Sequence, residues 1–260
     1  MSEDTIKVER HGAIAVVVLN RPEKLNALTK PMWRRLGEVF RDLDAQEDLR
    51  CVILRGAGDK AFSPGNDIGE FETDRSNRSQ ARAYGAMMHE TISALRALRH
   101  PSVAMIKGIC VGGGLEIAGL CDLRICGRSS RFGAPINRLG LVMAYPEISA
   151  LADLVGHPTA LEILLEGRIF GAEEAREKGI VNRIVADEEV EAEAFATAER
   201  IAAGAPLVAR WHKQFLRRLK QGHPLTPEEL DEGFACFDTE DFRIGYRAFL
   251  AKEQPRFVGR

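Results

Sequence analysis

Residues 13–19, AIAVVVL, are apolar and mostly β-branched, with no position for a charge. Such a run reads as a strand buried on both faces, and a strand of that kind needs helices above and below its sheet. Residues 51–54 (CVIL), 103–109 and 122–126 (DLRIC) read as a second, third and fourth strand. Between these strands the period becomes helical. Thr29, with Pro31 two residues on, marks a helix start, and Trp33, Leu36, Val39, Phe40 and Leu43 follow at helical spacing to about Asp44. Tyr84, Met87, Met88, Thr91, Leu95 and Leu98 mark a long helix that ends before His100-Pro101, and the third strand runs through Gly112-Gly113-Gly114 into a short helix. The alternation predicts an α/β core.

From about residue 188 the pattern changes to four helical stretches, 188–204, 206–221, 226–237 and 239–252, with no strand between them. At 260 residues the chain has room for about 1.7 domains of ~150 residues. The expected division is a core over 1–190 that carries the site and a helical region over 191–260 that packs on the core or on another subunit. Thirty-six basic against 38 acidic residues leave a net charge of −2, so no global field draws in nucleic acid or an anionic membrane. The five cysteines form an odd set without a CxxC pair, and no histidine lies beside them at ligand spacing. Neither a disulfide frame nor a metal site is expected, and a reducing compartment fits best. The N-terminus, MSEDTIKVER, has no apolar signal core, and the longest apolar stretch, 108–121, is too short to span a bilayer and contains Glu116. The expected location is the cytoplasm, which makes Asn77-Arg78-Ser79 a chance match to a glycosylation signal.

Two segments point to chemistry. One is Ala61-Phe62-Ser63-Pro64-Gly65-Asn66-Asp67-Ile68, a tight turn after the second strand; the other is Gly112-Gly113-Gly114-Leu115-Glu116, where a strand passes through glycines into a helix. Without side chains, the glycine N–H groups can approach a ligand closely, and the helix start adds positive potential. A second N–H from the turn at Gly65-Asn66 would complete a pair able to hold the negative oxygen of an enolate or tetrahedral intermediate. Glycine triplets also serve plain strand–helix packing, and the dinucleotide fingerprint is a further rival. The triplet lacks G-x-G-x-x-G spacing and follows the third strand instead of the first, and neither a P-loop nor a G-x-S-x-G elbow occurs. Glu116 weighs for chemistry, because a carboxylate inside VGGGLEIAGL is costly to bury without partners or a task.

Asn20-Arg21-Pro22-Glu23-Lys24-Leu25-Asn26-Ala27-Leu28, the 61–68 turn, Gly112-Gly113-Gly114-Leu115-Glu116 and Cys121-Asp122 occur in the order and spacing of the enoyl-CoA hydratase/isomerase (crotonase) superfamily, which the chain resembles through Gly171-Ala172-Glu173-Glu174-Ala175 to its last helix. The resemblance implies an α/β, crotonase-like spiral of ββα units with a helical C-terminal trimerisation region, assembled as a homotrimer or a dimer of trimers. It implies an acyl-CoA thioester ligand, with coenzyme A as part of the substrate and no separate cofactor or metal. The N–H groups of Asn66 and Gly113 match the two oxyanion-hole positions, and Glu116 matches the first catalytic glutamate. Lys24, Ala27 and the turn of Asn66, Asp67, Ile68 and Gly69 match the coenzyme A groove, and Lys252 matches a lysine that reaches the nucleotide end.

The chain departs from the family pattern at the second glutamate, whose position is taken by Ile136, a residue that cannot transfer a proton. Gly69 stands where a lysine is usual, and Asn66 where a small residue is common. Tyr145 and Glu147 are candidates to replace the missing acid. Tyr145 with Met143 could instead line the acyl pocket, and Glu147 could serve as a first-turn helix charge. Asp67 is expected to cap its turn, and His89 and His157 to have ordinary capping or surface roles. The leading expectation is hydration of a 2-enoyl-CoA; the alternatives are one-carboxylate isomerisation, hydrolysis or decarboxylation, and a non-catalytic coenzyme-A-binding scaffold.

Overall fold

The computed structural model describes residues 5–260. The charge-free run forms β2 (Ile14–Leu19), buried throughout, antiparallel to β1 (Ile6–His11) and parallel to β3 (Cys51–Gly56). With β5 (Ser102–Ile106), β7 (Leu123–Gly127) and β10 (Arg183–Val185) these make a six-stranded sheet in the order β1-β2-β3-β5-β7-β10. A second sheet of four short strands, β4 (Ala61–Ser63), β6 (Ile109–Val111), β8 (Arg131–Gly133) and β9 (Phe170–Gly171), runs in the order β4-β6-β8-β9. The chain visits both sheets in a repeating unit. β3 and β4 lead to α2 (Phe71–Asp74) and α3 (Arg78–Ala97), β5 and β6 to α4 (Gly113–Leu120), and β7 and β8 to α5 (Tyr145–Glu166), with the short α6 (Ala172–Glu177) after β9. This is the expected spiral of ββα units.

Three expectations change. The strand expected over 103–109 is two strands in different sheets, because the backbone turns at Gly108 (φ +64), where a Cβ would stand 2.0 Å from the Lys60 carbonyl oxygen. The strand expected from Asp122 begins at Leu123. The Asp122 carboxylate instead accepts from the Ser102 backbone N–H (2.7 Å) and hydroxyl (2.9 Å). β1 was not anticipated, because only Ile6 of its six residues is buried and no apolar run announces it.

The core has two halves, one on each face of the large sheet. Val17, Leu19, Val52, Leu54 and Ala104 pack with Trp33, Leu36 and Phe40 of α1 (Lys30–Asp44) and Leu95 of α3. On the other face Ile14, Val16, Val18, Ile53, Val103 and Ile125 meet Val190, Ala194 and Ala198 of α7 (Val190–Ala202). Successive residues of β2 thus face opposite layers, as the period of a strand requires. The first helix of the C-terminal region is therefore a layer of the core, while α8 (Pro206–Leu219), α9 (Pro227–Glu232) and α10 (Glu240–Ala251) extend past it. Lys213 anchors α8: its ammonium donates to the His100 carbonyl (2.5 Å) and lies 2.6 Å from the Asp122 carboxylate. By length and composition α5 could cross a membrane, but its helix is broken at Gly156 and it carries Glu147, Asp153, Glu162 and Glu166.

The segment after β2 is fixed by Asn26, fully buried with φ +63. Asparagine tolerates this left-handed conformation better than other residues with a side chain. Its Nδ2 donates to the carbonyls of Ala57 (3.0 Å) and Ala61 (2.8 Å), and its Oδ1 accepts from the Arg21 backbone N–H (3.0 Å). Asn26→Ala leaves those backbone groups unpaired and is expected to lower stability by about 2–4 kcal/mol. Differential scanning calorimetry should read this as a fall of roughly 5–15 °C in Tm.

Candidate active site

α4 begins at Gly113, so the Gly113 N–H is one of the orphan donors of a helix start. The turn after β4 is brought to it by a relay. The Ser63 hydroxyl donates to the Asn26 carbonyl (2.9 Å) and accepts from the Gly65 N–H (3.0 Å). Leu28 N–H donates to Gly65 O and Asp67 N–H to Leu28 O, both at 2.8 Å, so the chain on either side of Asn66 is paired. The Asn66 and Gly113 N–H groups have no acceptor among the described residues. Gly65 has φ +93, and a Cβ there would stand 2.5 Å from the Gly113 nitrogen, so the two segments nearly touch. The two oxyanion-hole positions expected from the sequence therefore lie together, with both donors unspent.

Side chains lock this arrangement. Trp33 Nε1 donates to Asn66 Oδ1 (2.6 Å), which fixes the asparagine amide against α1, and the Trp33 carbonyl accepts from Thr91 of α3 (2.6 Å). Arg21 donates to Asp67 (2.5 Å) and to the Ala27 carbonyl (3.2 Å), tying the 20–28 segment to the turn. Asp67 caps the turn as expected, accepting from Gly69 N–H (2.9 Å), and the Arg21 bond holds its carboxyl below the usual carboxylate range. Sequence reasoning missed Arg21, Asn26 and Trp33 as supports of the site. A charge and a polar residue in the turn after a buried strand, and a tryptophan opening the following helix, were the available signals.

Glu116 lies on the first turn of α4, 7% exposed, and its Oε1 has no hydrogen-bond partner. Burial, and then the negative charge of Glu147, push its carboxyl well above the ordinary range, with Arg96 opposing. Such a group keeps its proton at pH values where a surface glutamate has lost it. Met143 is buried in the main core cluster and Ile136 packs against it. Tyr145, expected as a pocket residue or replacement acid, is 90% exposed: it starts α5 facing outward, while Glu147 two residues on is turned in. Glu147 does serve as a helix-start charge, accepting from the Ala144 N–H (2.9 Å), but its other oxygen is 3.2 Å from His89 Nε2. His89 is thus no ordinary surface residue. Lys24 and Ile68 are exposed near the turn and Ala27 is buried beneath it, while no hydrogen bond or ion pair among the described residues joins Lys252, exposed at the end of α10, to the pocket.

Gly65→Ala is expected to lower kcat by about 10²–10³, the loss typical of an oxyanion donor, with the fold kept by circular dichroism. Glu116 also makes a stability prediction. Because its folded pKa is raised, its contribution is fully present below the unfolded value of 4.5 and is lost as pH rises. Glu116→Gln should therefore raise Tm at pH 7, with the gain narrowing as pH falls towards 4.5.

The family model of enoyl-CoA hydratase/isomerase matches residues 9–260. A short-chain-enoyl-CoA hydratase of Clostridium acetobutylicum is 32% identical over 98% of this chain and 97% of its own length. A crotonyl-CoA hydratase of Syntrophomonas wolfei is 30% identical over the whole of both chains. Among solved structures, an enoyl-CoA hydratase/carnithine racemase from Magnetospirillum magneticum is 51% identical, with a TM-score of 0.97 over 99% of this chain and 96% of that one.

Proposed function

The chain belongs to the enoyl-CoA hydratase/isomerase family, and from that premise we propose that it adds water reversibly across the double bond of a short 2-enoyl-CoA. The observation that carries this reading is the meeting of two unpaired N–H groups, at Asn66 and Gly113, beside the buried carboxyl of Glu116. A thioester carbonyl seated on those donors is polarised, hydroxide equivalent adds at C3, and the charge that develops on the thioester oxygen is held without reorganisation. The enolate then takes a proton at C2, and a glutamate kept protonated by its surroundings is suited to give it. Both relatives named for a hydration reaction, the short-chain and crotonyl-CoA hydratases, support the substrate class.

In this reading coenzyme A arrives as part of the substrate, with no separate cofactor. Lys24, Ala27 and the turn from Asp67 to Gly69 flank its groove, and Lys252 serves the nucleotide end. Leu216, Leu219, Leu230, Phe234, Phe249 and Leu250 leave apolar surface exposed along α8 to α10, which supports a homo-oligomer, a trimer or a pair of trimers. The cysteines, all free and four of them buried, suit a reducing compartment such as the cytoplasm. Double-bond isomerisation by a single carboxylate is the second reading, favoured by Ile136 at the position of the family's second glutamate.

Incubation with crotonyl-CoA and with a 3-enoyl-CoA separates the two. Hydration of the 2-enoyl ester, falling about 10²–10⁴-fold in Glu116→Gln, is the expected result. Turnover of the 3-enoyl ester alone would select isomerisation, and an undiminished rate in the variant would remove Glu116 from the chemistry.

A further inference from the structure

Hydration needs a second group, one that takes a proton from water while Glu116 gives one to carbon, and Ile136 cannot be it. Three helices bring candidates to the site. Glu147, on the first turn of α5, has a side chain 13% exposed; His89 comes from α3; Glu116 comes from α4. Glu147 is held at both ends of its carboxylate, by the Ala144 N–H at 2.9 Å and by His89 Nε2 at 3.2 Å. It is also the charged residue that acts most strongly on Glu116. Of the other charges on these helices, Arg96 of α3 acts on Glu116 and donates to Ser149 (3.4 Å), and Asp153 of α5 lies 3.9 Å from Arg96, whereas Arg78, Arg82 and Glu90 of α3 and Glu162 and Glu166 of α5 are not among the groups that act on Glu116.

We infer that Glu147 is the second acid–base carboxylate of this site, positioned by His89 and the Ala144 N–H, and that it pairs with Glu116 across the bound acyl chain. The inference rests on the hydratase reading for its reaction. A buried carboxyl that faces a second carboxylate holds its proton more tightly, because desolvation and the like charge both disfavour its ionised form. Glu116, the more deeply buried, is therefore the proton donor of the pair, and Glu147, held by a backbone N–H and an imidazole, is the base. The step then balances. Glu147 takes a proton from water as the oxygen bonds to C3; the π electrons pass to the thioester oxygen at the Asn66 and Gly113 N–H groups; the enolate takes the Glu116 proton at C2. Glu116 is left ionised and Glu147 protonated, and return of one proton from Glu147 to Glu116 restores the pair.

Two assays on the intact protein test this. Hydration of crotonyl-CoA reads both carboxylates, whereas exchange of the C2 protons of butyryl-CoA with deuterium oxide, followed by NMR, needs no added water and reads Glu116 alone. Glu147→Gln should lose about 10²-fold or more in hydration kcat at unchanged KM. Its exchange should persist, with the pH profile displaced to lower pH, because Glu116 no longer faces a negative neighbour. His89→Ala leaves the Ala144 bond to Glu147 in place and should lower hydration kcat at unchanged KM. Hydration retained in Glu147→Gln, hydration and exchange lost in proportion, or an unmoved exchange profile would each overturn the inference. Exchange by the wild type without hydration of any 2-enoyl-CoA would fail the hydratase reading alone, and the displacement of the exchange profile in Glu147→Gln would still decide the carboxylate pair.

Discussion

The approach of the Gly65–Asn66 turn to the first turn of α4 is the contact on which the rest of the molecule depends. It sets two backbone donors side by side with no acceptor among the described residues, and it leaves no room for a side chain at residue 65. Left to themselves, unpaired N–H groups would favour a conformation that satisfies them. They are held apart from acceptors by everything around them: Leu28 occupies the backbone groups on both sides of Asn66, Trp33 holds the Asn66 amide, and the buried Asn26 fixes Ser63, which in turn holds Gly65. The ββα spiral supplies the other half, because β6 leads through Gly112 directly into α4. β6 running into α4 therefore points a helix start at the end of β4.

What the sequence made legible follows the range of the interactions involved. The charge-free run at 13–19 and the Trp33–Leu43 periodicity report contacts with a whole layer, so they survive as patterns in a single chain. β1 carries one buried residue and left no such trace. The break between β5 and β6 lies in one glycine dihedral within an otherwise continuous apolar stretch, and the run gave no sign of a change of sheet.

The same rule separates the legible part of the site from the rest. Glu116 stood out because its own neighbours in sequence are apolar. Glu147 and His89 are 58 residues apart, and each alone looks like an ordinary helix residue. Their meaning is created by the crossing of α3 with α5, as the Asp122–Lys213 pair is created by the docking of α8. Tyr145 shows the opposite error: as an aromatic in the right loop it looked like a pocket residue, but the first turn of α5 faces it outward and Glu147 inward.

Ile136 then has a physical meaning beyond a missing group. It is half-buried against the main core cluster, where it contributes apolar surface. A glutamate there would set a carboxylate against a largely apolar surface, which costs free energy unless the charge is partnered. Glu147 avoids that cost by position. At the start of α5 it meets a backbone N–H and an imidazole, one at each oxygen of its carboxylate. An apolar residue at 136 and a partnered carboxylate at 147 are therefore two parts of one arrangement, which leaves Glu116 as the one carboxyl on the first turn of α4, buried and with an oxygen free of any hydrogen bond.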